Sequence, residues 1–287
     1  MPALTGPLGL VLAHTDGLGM GLALAVVAFY AHGIGAKGAR PPPWRAASLL
    51  AGVVVILVAL SPPMGAASMQ FFSAHMSQHL LLILVAAPLI VLGRPAPVVL
   101  RALPRRFSAP IATVLGTLRR RISRRHSAVV AVAAWLLHAV TLWAWHVPAL
   151  YDAALHNPWI HGLEHATMLL GAMPMWMVVL TPLRATGLPG IAAVPYLFTT
   201  SLHSGALGAL LVFAPSPWYD HLRYAPAGGD IVADQQMAGL IMWMPGALVY
   251  LGAALAVFGV WMARRPQPAL RLPSPVERPP ADHQVTP

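Results

Sequence analysis

The chain contains no cysteine and few charged residues of either sign. Its 287 residues include no Cys, and Asp, Glu, Lys and Arg together make up only 9%. Without cysteine the protein can form neither disulfide bonds nor thiolate metal sites, so a bound metal would need imidazole, thioether, carboxylate or backbone ligands. Hydrophobic residues make up 57% of the chain and the mean hydropathy is +0.68. This composition excludes an ordinary soluble domain and indicates an integral membrane protein.

Acidic residues are especially scarce. The chain has 8 Asp and Glu residues against 18 Lys and Arg residues, which gives a formal net charge of +10. In a membrane protein an excess of basic residues usually reports the topology of the loops, because cytoplasmic loops are enriched in Lys and Arg. We therefore expect no nucleic-acid partner.

Seven apolar stretches are long enough to cross a bilayer. A spanning helix needs about 20 mainly apolar residues, because backbone polar groups in lipid must be satisfied within the segment. The stretches lie near residues 17–36, 46–62, 71–93, 127–146, 157–183, 191–213 and 235–262. Of the 18 basic residues all but Arg223 fall on one side of this map, which predicts an outside N-terminus and a cytoplasmic C-terminus. The predicted fold class is all-α, a polytopic bundle of seven transmembrane helices.

The predicted organisation is one transmembrane domain over residues 1–263 and a disordered cytoplasmic tail over 264–287, which is rich in proline and polar residues. A cytoplasmic loop over about 94–126 carries Ile111, Val114 and Leu115 at helical spacing near a cluster of arginines. This pattern predicts an amphipathic helix on the anionic inner leaflet, with membrane lipid as a partner. A plain solvated basic loop is the alternative.

Histidines concentrate in the spans at one depth. His75 and His79 are four residues apart, as are His161 and His165, so each pair lies on one face of a helix. All four are predicted in the outer part of the membrane. Other polar residues are predicted in or near this zone: His146, His138, His203 and Asp234.

Ionisable groups in a membrane span are costly, usually face the bundle interior, and by default indicate function. A pair of imidazoles one turn apart can chelate a metal ion or flank a planar cofactor. Gln78 and Glu164 each precede the second histidine of a pair, and we expect them to orient imidazoles, either on their own helix or on a neighbouring one. Met76 adds a thioether, and thioether with imidazole suits Cu(I), although methionine is also a common packing residue.

Several of these residues have a structural alternative. His138 and His203 could serve only as hydrogen bonds between helices, and Asp234 could serve as a helix cap. Aromatic residues gather at the predicted outer boundary, where amphipathic rings favour the headgroup level: Trp143, Trp145, Tyr151, Trp159, Trp218 and Tyr219.

One short motif suggests hydrolysis. The segment from His161 through Glu164 to His165 has the H-x-x-E-H spacing of inverzincin metalloproteases. Three fixed positions arise easily by chance in a histidine-rich chain, and hydrolysis also needs an open coordination position and a water path. We therefore predict a protein that is not an enzyme, with a metal-dependent membrane hydrolase as a minor alternative.

Four segments together resemble a known family. HMSQHLLLILVAAPLIVLG, WAWHVPALYDAALHN, HGLEHATMLLGAMPMW and DQQMAGLIMWMPG occur in this order, within a resemblance that covers about residues 10–263. They are similar to the polytopic CtaG family of caa(3)-type cytochrome c oxidase assembly factors. The resemblance implies a multi-pass protein of the bacterial cytoplasmic (inner) membrane that supplies copper to the catalytic subunit of a haem-copper oxidase or works with other assembly factors. The motif positions that it carries over are His75, His79, His146, His161, His165 and Asp234.

The leading hypothesis is therefore an assembly factor that holds copper, as Cu(I), between His75, His79, His161 and His165, with help from His146. Two rivals stay open at this point. Opposing histidines on neighbouring spans could instead ligate haem b in a membrane cytochrome. A scaffold for the oxidase with no ligand of its own is the third possibility.

Overall fold

The computed structural model describes residues 17–35, 40–121, 127–180, 190–219 and 230–263. Within these ranges the chain is helical and has no β-strand, which confirms the all-α fold class. The predicted tail over 264–287 and the single basic residue on the other side, Arg223, lie outside the described residues.

Helices follow one another with short connections. The first half contains α1 (Gly17–Gly35), α2 (Pro43–Ala59), α3 (Pro62–Ser68), α4 (Phe72–Leu80), a π-helical segment (Leu81–Ala86), α5 (Ala87–Gly93), α6 (Ala96–Ala102) and α7 (Arg105–Arg121). The second half contains α8 (Ser127–Trp145), α9 (Pro148–His156), α10 (Pro158–Leu180), a 3-10 turn (Gly190–Ala192), α11 (Ala193–Phe213) and α12 (Ile231–Ala263).

Five helices are long and apolar enough to cross a membrane, which makes the chain a polytopic membrane protein. They are the continuous helix Phe72–Gly93 formed by α4, the π segment and α5, and the helices α8, α10, α11 and α12. The pair α2 and α3 would be a sixth span, bent by 50° at Leu60 and Ser61. Helix α1 is apolar but shorter. A total of seven spans and the orientation of the termini therefore stay predictions.

A π-helical segment interrupts the span that carries the first histidine pair. At its end the Ala87 amide donates to the carbonyl of Leu82, five residues back. The same spacing would pair the Ile83 carbonyl with residue 88, but Pro88 has no N–H to donate. Instead the Trp176 indole Nε1 donates to the Ile83 carbonyl at 2.8 Å. Helix α10 thus satisfies the carbonyl that the proline leaves open, and the contact fixes α10 against the histidine-bearing span.

Helices α11 and α12 cross at a pair of glycines. A Cβ added to Gly239 would lie 2.5 Å from the Gly208 carbonyl oxygen, and one added to Gly208 would lie 2.8 Å from the Gly239 oxygen. Only residues without a side chain allow backbones to approach this closely, as at many helix crossings in membranes. This contact holds the last two spans together and sets the position of the start of α12.

The basic loop contains the helix α7. Phe107, Ile111, Val114 and Leu115 on this helix are exposed, between 43% and 64%. A row of exposed apolar side chains on a helix with arginines at both ends fits an amphipathic surface helix. Its contact with anionic lipid stays a prediction.

Candidate metal centre

Two helices bring four histidines and a glutamate together in the bundle interior. Helix α4 supplies His75 and His79, and α10 supplies His161, Glu164 and His165. All five residues are at most 3% exposed. We call these five residues the four-histidine cluster. Spacing of three or four residues puts each set on one helical face, and the packing of the helices turns the two faces toward each other.

The imidazole rings of the cluster are in mutual contact. Ring centroids lie 4.5 Å apart between His75 and His79 on α4, and 4.3 Å apart between His161 and His165 on α10. Across the two helices, the centroid of His75 is 5.4 Å from that of His161. The centroid of His79 is also 5.4 Å from that of His165. The four rings therefore form one compact group, and the two sequence pairs belong to a single centre.

Two sets of ligand atoms in the cluster are close enough to hold a metal ion. The first set is His75, His161 and His165, and the second is His75, His79 and Glu164. Within each set one ligand atom per residue lies within 4.8 Å of the others. His75 belongs to both sets, which makes it the central residue of the cluster.

Glu164 reaches across to the opposite helix. Its Oε1 lies 3.4 Å from Nε2 of His79 and 3.6 Å from Nε2 of His75. The carboxylate is completely buried, so it places the only acidic side chain of the two ligand sets among four imidazoles. A negative charge in this position favours a bound cation.

Gln78 has a different role from the one its position suggested. Its Nε2 donates to the Ala59 carbonyl at 2.8 Å, at the end of α2. This bond ties the histidine-bearing helix to the bend between α2 and α3. Gln78 is buried beside the cluster and positions α4, and it is not a member of either ligand set.

His146 and Met76 form a contact at the edge of the cluster. His146 Nδ1 is 2.7 Å from the Leu142 carbonyl oxygen, which can only accept, so this nitrogen carries the proton. Burial lowers the pKa of His146 to about 4, so the imidazole is neutral at physiological pH and Nε2 carries a lone pair. That Nε2 lies 3.3 Å from the Met76 sulfur, and the His146 ring centroid is 6.4 Å from that of His79. Two lone-pair atoms, one nitrogen and one sulfur, thus face each other beside the four histidines.

Asp234 lies on α12, but its carboxylate caps α4. Its carboxylate accepts from the Phe72 amide at 2.6 Å and also from the amide and hydroxyl of Ser73. These are the first residues of α4, where backbone amides lack partners in the helix and carry the positive end of the helix dipole. Helix α12 is instead capped by Asp230, which accepts from the amides of Val232 and Ala233. Asp234 therefore supports the histidine helix and is in neither ligand set.

His138 and His203 form a separate pair. Their ring centroids are 5.6 Å apart, and the His203 ring also packs edge-on against Trp135. His138 lies eight residues before His146 on the same chain, about 12 Å along a helix at 1.5 Å per residue. The structure therefore does not bring this pair into the four-histidine cluster.

Two tyrosines predicted for the membrane boundary are buried above the cluster. Tyr151 and Tyr219 are 0% and 1% exposed, so their assignment to an interfacial belt is wrong. The Tyr151 ring packs edge-on against His75, with centroids 5.1 Å apart, and both tyrosines pack on Phe72. Burial and the charge of Glu164 raise the pKa of both phenols, which keeps them neutral. Aromatic residues near a membrane boundary occur both in interfacial belts and in the interior of helix bundles. The sequence contains no signal that separates Tyr151 and Tyr219 from the exposed Trp159.

An apolar cavity of about 330 Å³ adjoins the cluster on the other side of α10. Its walls come mainly from α1, α2 and α10, and include Leu22, Ile56, Met173 and His165. His165 thus borders both the imidazole group and a space lined almost wholly by apolar side chains. Aromatic rings therefore pack against the cluster, and an apolar cavity lies beside it.

The chain is similar to known proteins in its sequence. A family model described as cytochrome c oxidase caa3 assembly factor (Caa3_CtaG) matches residues 23–264. An uncharacterized protein of Mycobacterium leprae (strain TN) is 26% identical over 243 residues, which cover 80% of this chain and 36% of that protein. The chain thus spans about a third of the length of this relative. No solved structure matches the chain.

Proposed function

The chain belongs to the family of caa3-type cytochrome c oxidase assembly factors, and from this premise we propose that it holds copper and delivers it to the oxidase. The observation that carries the proposal is the four-histidine cluster. Four buried imidazoles and one carboxylate offer two sets of ligand atoms within 4.8 Å of one another. Packing alone does not require so many ionisable groups in the interior of a membrane bundle.

The charge of the cluster favours copper as Cu(I). Neutral imidazoles and a single carboxylate give the cluster one negative charge, and one monovalent ion cancels it. A divalent ion would leave one uncompensated positive charge in a low-dielectric interior, which is costly. Imidazole and thioether are ligands that suit Cu(I), and the chain has no cysteine to compete for the ion.

The contact between His146 and Met76 suggests how the ion leaves. Met76 directly follows His75 on α4. Its sulfur lies 3.3 Å from His146 Nε2, which carries a lone pair. Because the ring centroids of His79 and His146 are 6.4 Å apart, a cation at the cluster could exchange an imidazole for this nitrogen and sulfur over a short distance. We infer that this pair is the transfer position, from which a partner protein accepts the ion.

Haem ligation and hydrolysis fit the cluster less well. Two imidazoles that ligate one haem iron need room between them for the macrocycle, but here the rings are crowded, with centroids on the two helices only 5.4–6.0 Å apart. A hydrolase needs an open ligand position and a path for water. Glu164, the only general base of the motif, is wholly buried beside His75 and His79. We therefore infer a carrier that is not an enzyme.

Membership of the family is the basis for proposing a partner and a membrane location. As an oxidase assembly factor, the protein acts with the oxidase or its assembly machinery. We propose that the recipient is the catalytic subunit, either directly or through another assembly factor. We further propose that this multi-pass protein lies in the bacterial cytoplasmic membrane.

A pair of variants tests the copper proposal. The protein is purified from membranes under reducing conditions and its copper is counted, and the copper content of the oxidase is measured in the same cells. His75→Gln with His165→Gln breaks both ligand sets of the cluster, so it should remove the copper that the cluster holds and lower the copper content of the oxidase. His156→Gln changes an exposed histidine outside the cluster and is the matched control. The proposal would be refuted if the double variant, present at normal levels in the membrane, and the oxidase from the same cells both kept their full copper content.

A further inference from the structure

The His138–His203 pair is a second group of buried imidazoles that the proposed copper site does not use. His138 lies on α8 and is 2% exposed, and His203 lies on α11. Both ring nitrogens of His203 are buried and have no hydrogen-bond partner among the described residues. The Nε2 of His138 has only a long contact of 3.5 Å with the Tyr250 hydroxyl. A pair that served only to join helices by hydrogen bonds would not leave these nitrogens unused.

The separation of the two rings suits one shared metal ion. With metal–nitrogen bonds of about 2.0 Å, two imidazoles on one ion keep their ring centroids within about 6.4 Å of each other. The observed separation is 5.6 Å, which corresponds to a bent arrangement at the ion.

A small cavity beside His138 brings a methionine near the pair. The cavity has a volume of about 20 Å³ and is lined by His138, Ser204, Met242 and Tyr250, among others. A space of about 10–15 Å³ is enough for a water molecule. Met242, which carries a thioether, therefore borders the same water-sized space as one of the two imidazoles.

We propose that His138, His203 and Met242 form a second Cu(I) site, deeper in the bundle than the four-histidine cluster. Within the part of the chain that the structure describes, no carboxylate lines the cavity or is in ring contact with the pair, so the site has no negative charge. An uncharged ligand set in a membrane interior admits a monovalent ion at far lower cost than a divalent ion. Neutral imidazole and thioether are also a soft ligand set that suits Cu(I).

The second site adjoins the first through two leucines. Leu80 and Leu142 line its cavity. Leu80 directly follows His79 in α4, and the Leu142 carbonyl accepts from Nδ1 of His146. The two sites are therefore neighbours on α4 and α8, but they share no ligand. The second site does not depend on the proposed function of the first.

The test uses a parent protein in which the cluster is disabled by His75→Gln and His79→Gln. The purified parent is titrated with Cu(I) under anaerobic, reducing conditions against a chromophoric Cu(I) chelator. We expect one bound equivalent, and at least a tenfold weaker affinity after His203→Gln is added. Ser204→Ala, which changes the adjacent cavity-lining residue, should leave the affinity unchanged. A parent that binds no Cu(I), or an affinity that His203→Gln does not change, would overturn the second site.

A conservative variant covers the case in which His203→Gln does not fold. Met242→Leu keeps the volume of the side chain and removes only the sulfur. X-ray absorption of the Cu(I)-loaded parent should contain a sulfur scatterer that is lost in Met242→Leu, and a spectrum without sulfur would contradict the ligand set. Failure of the first site has a different signature. If the first site does not bind copper, the native protein would bind a single equivalent of Cu(I). That binding would be unaffected by His75→Gln and His79→Gln, and it would be lost in His203→Gln.

Discussion

The four-histidine cluster and the His138–His203 pair use the same ligand type in two different electrostatic settings. The cluster combines four imidazoles with the carboxylate of Glu164, and aromatic rings from Phe72 and Tyr151 cover it. The pair has two imidazoles, a nearby thioether and no carboxylate among its contacts. Charge is therefore the main difference between the two regions. The cluster can accept a monovalent or, less readily, a divalent ion, whereas the pair suits only a monovalent one.

Helix α8 joins the two regions. It carries His138 within the span, and His146 follows directly after its last residue. The Leu142 carbonyl, between them, fixes the tautomer of His146. The two regions therefore differ in charge but share one rigid element, so variants in one can be used as controls for the other.

The largest effect is expected for His75→Gln. His75 belongs to both sets of ligand atoms in the cluster, whereas His79 and His161 each belong to one. We expect His75→Gln to weaken Cu(I) binding at the cluster about 100-fold, and the other two changes about tenfold each, because they leave one set intact. Competition titration against a chromophoric chelator measures all three. Equal losses for the three variants would contradict the central position of His75.

The next largest effect concerns which ion the cluster accepts. Glu164→Gln keeps the shape of the side chain and removes its charge, which makes the cluster resemble the His138–His203 pair. We expect Zn(II) affinity to fall about 100-fold and Cu(I) affinity to fall less than about tenfold, because the divalent ion loses more charge compensation. Parallel titrations with both ions measure the change. Equal losses for the two ions would mean that the carboxylate does not select by charge.

The sequence was sufficient for the parts of this centre that lie within one helix. Long apolar stretches predicted most helices to within a few residues, and spacing of four residues put His75 with His79 and His161 with His165. Both inferences depend only on helical geometry and on the cost of polar groups in lipid.

Contacts between distant segments were not predictable in the same way. Asp234 caps a helix that begins 162 residues earlier in the chain, at Phe72. The burial of Tyr151 and Tyr219 likewise depends on how separate helices pack. A sequence pattern reports which face of one helix is polar, but the partner of that face is set by packing across the bundle. The separation of His138 and His203 from the cluster also depends on packing across the bundle, so the sequence could not predict it.

A smaller effect on copper is expected for Met76→Leu. The change conserves volume, so it should cost less than about 1.5 kcal/mol in stability. It removes the sulfur that faces His146 Nε2, and we expect Cu(I) to bind about tenfold more weakly and to transfer more slowly to a chelator. Met168→Leu, at a second buried methionine of the same core, is the control and should leave both quantities unchanged. Identical transfer rates for the two variants would exclude Met76 from the transfer position.

Asp234→Ala should act on stability first and on copper second. Loss of the carboxylate leaves the first amides of α4 without their acceptor, which should lower the free energy of unfolding by about 1–2 kcal/mol. Asp230→Ala removes the cap of α12 and is the matched control, with a similar loss of stability. Thermal unfolding in detergent measures both, and titration measures Cu(I) binding. Only Asp234→Ala should also weaken copper binding, because it alone loosens the helix that carries His75 and His79.

The smallest effect is expected for Tyr219→Phe, which tests whether the aromatic cover matters to the cluster. The Tyr219 hydroxyl donates to the His146 carbonyl at 3.1 Å, so its loss should cost about 1 kcal/mol and leave a buried carbonyl with one partner fewer. Tyr196→Phe is the control, because its buried hydroxyl has no hydrogen-bond partner among the described residues and its removal should be neutral or stabilising. Thermal unfolding distinguishes the two. If Tyr219→Phe also weakens Cu(I) binding at the cluster while leaving the His138–His203 pair unchanged, the cover acts through the position of His146.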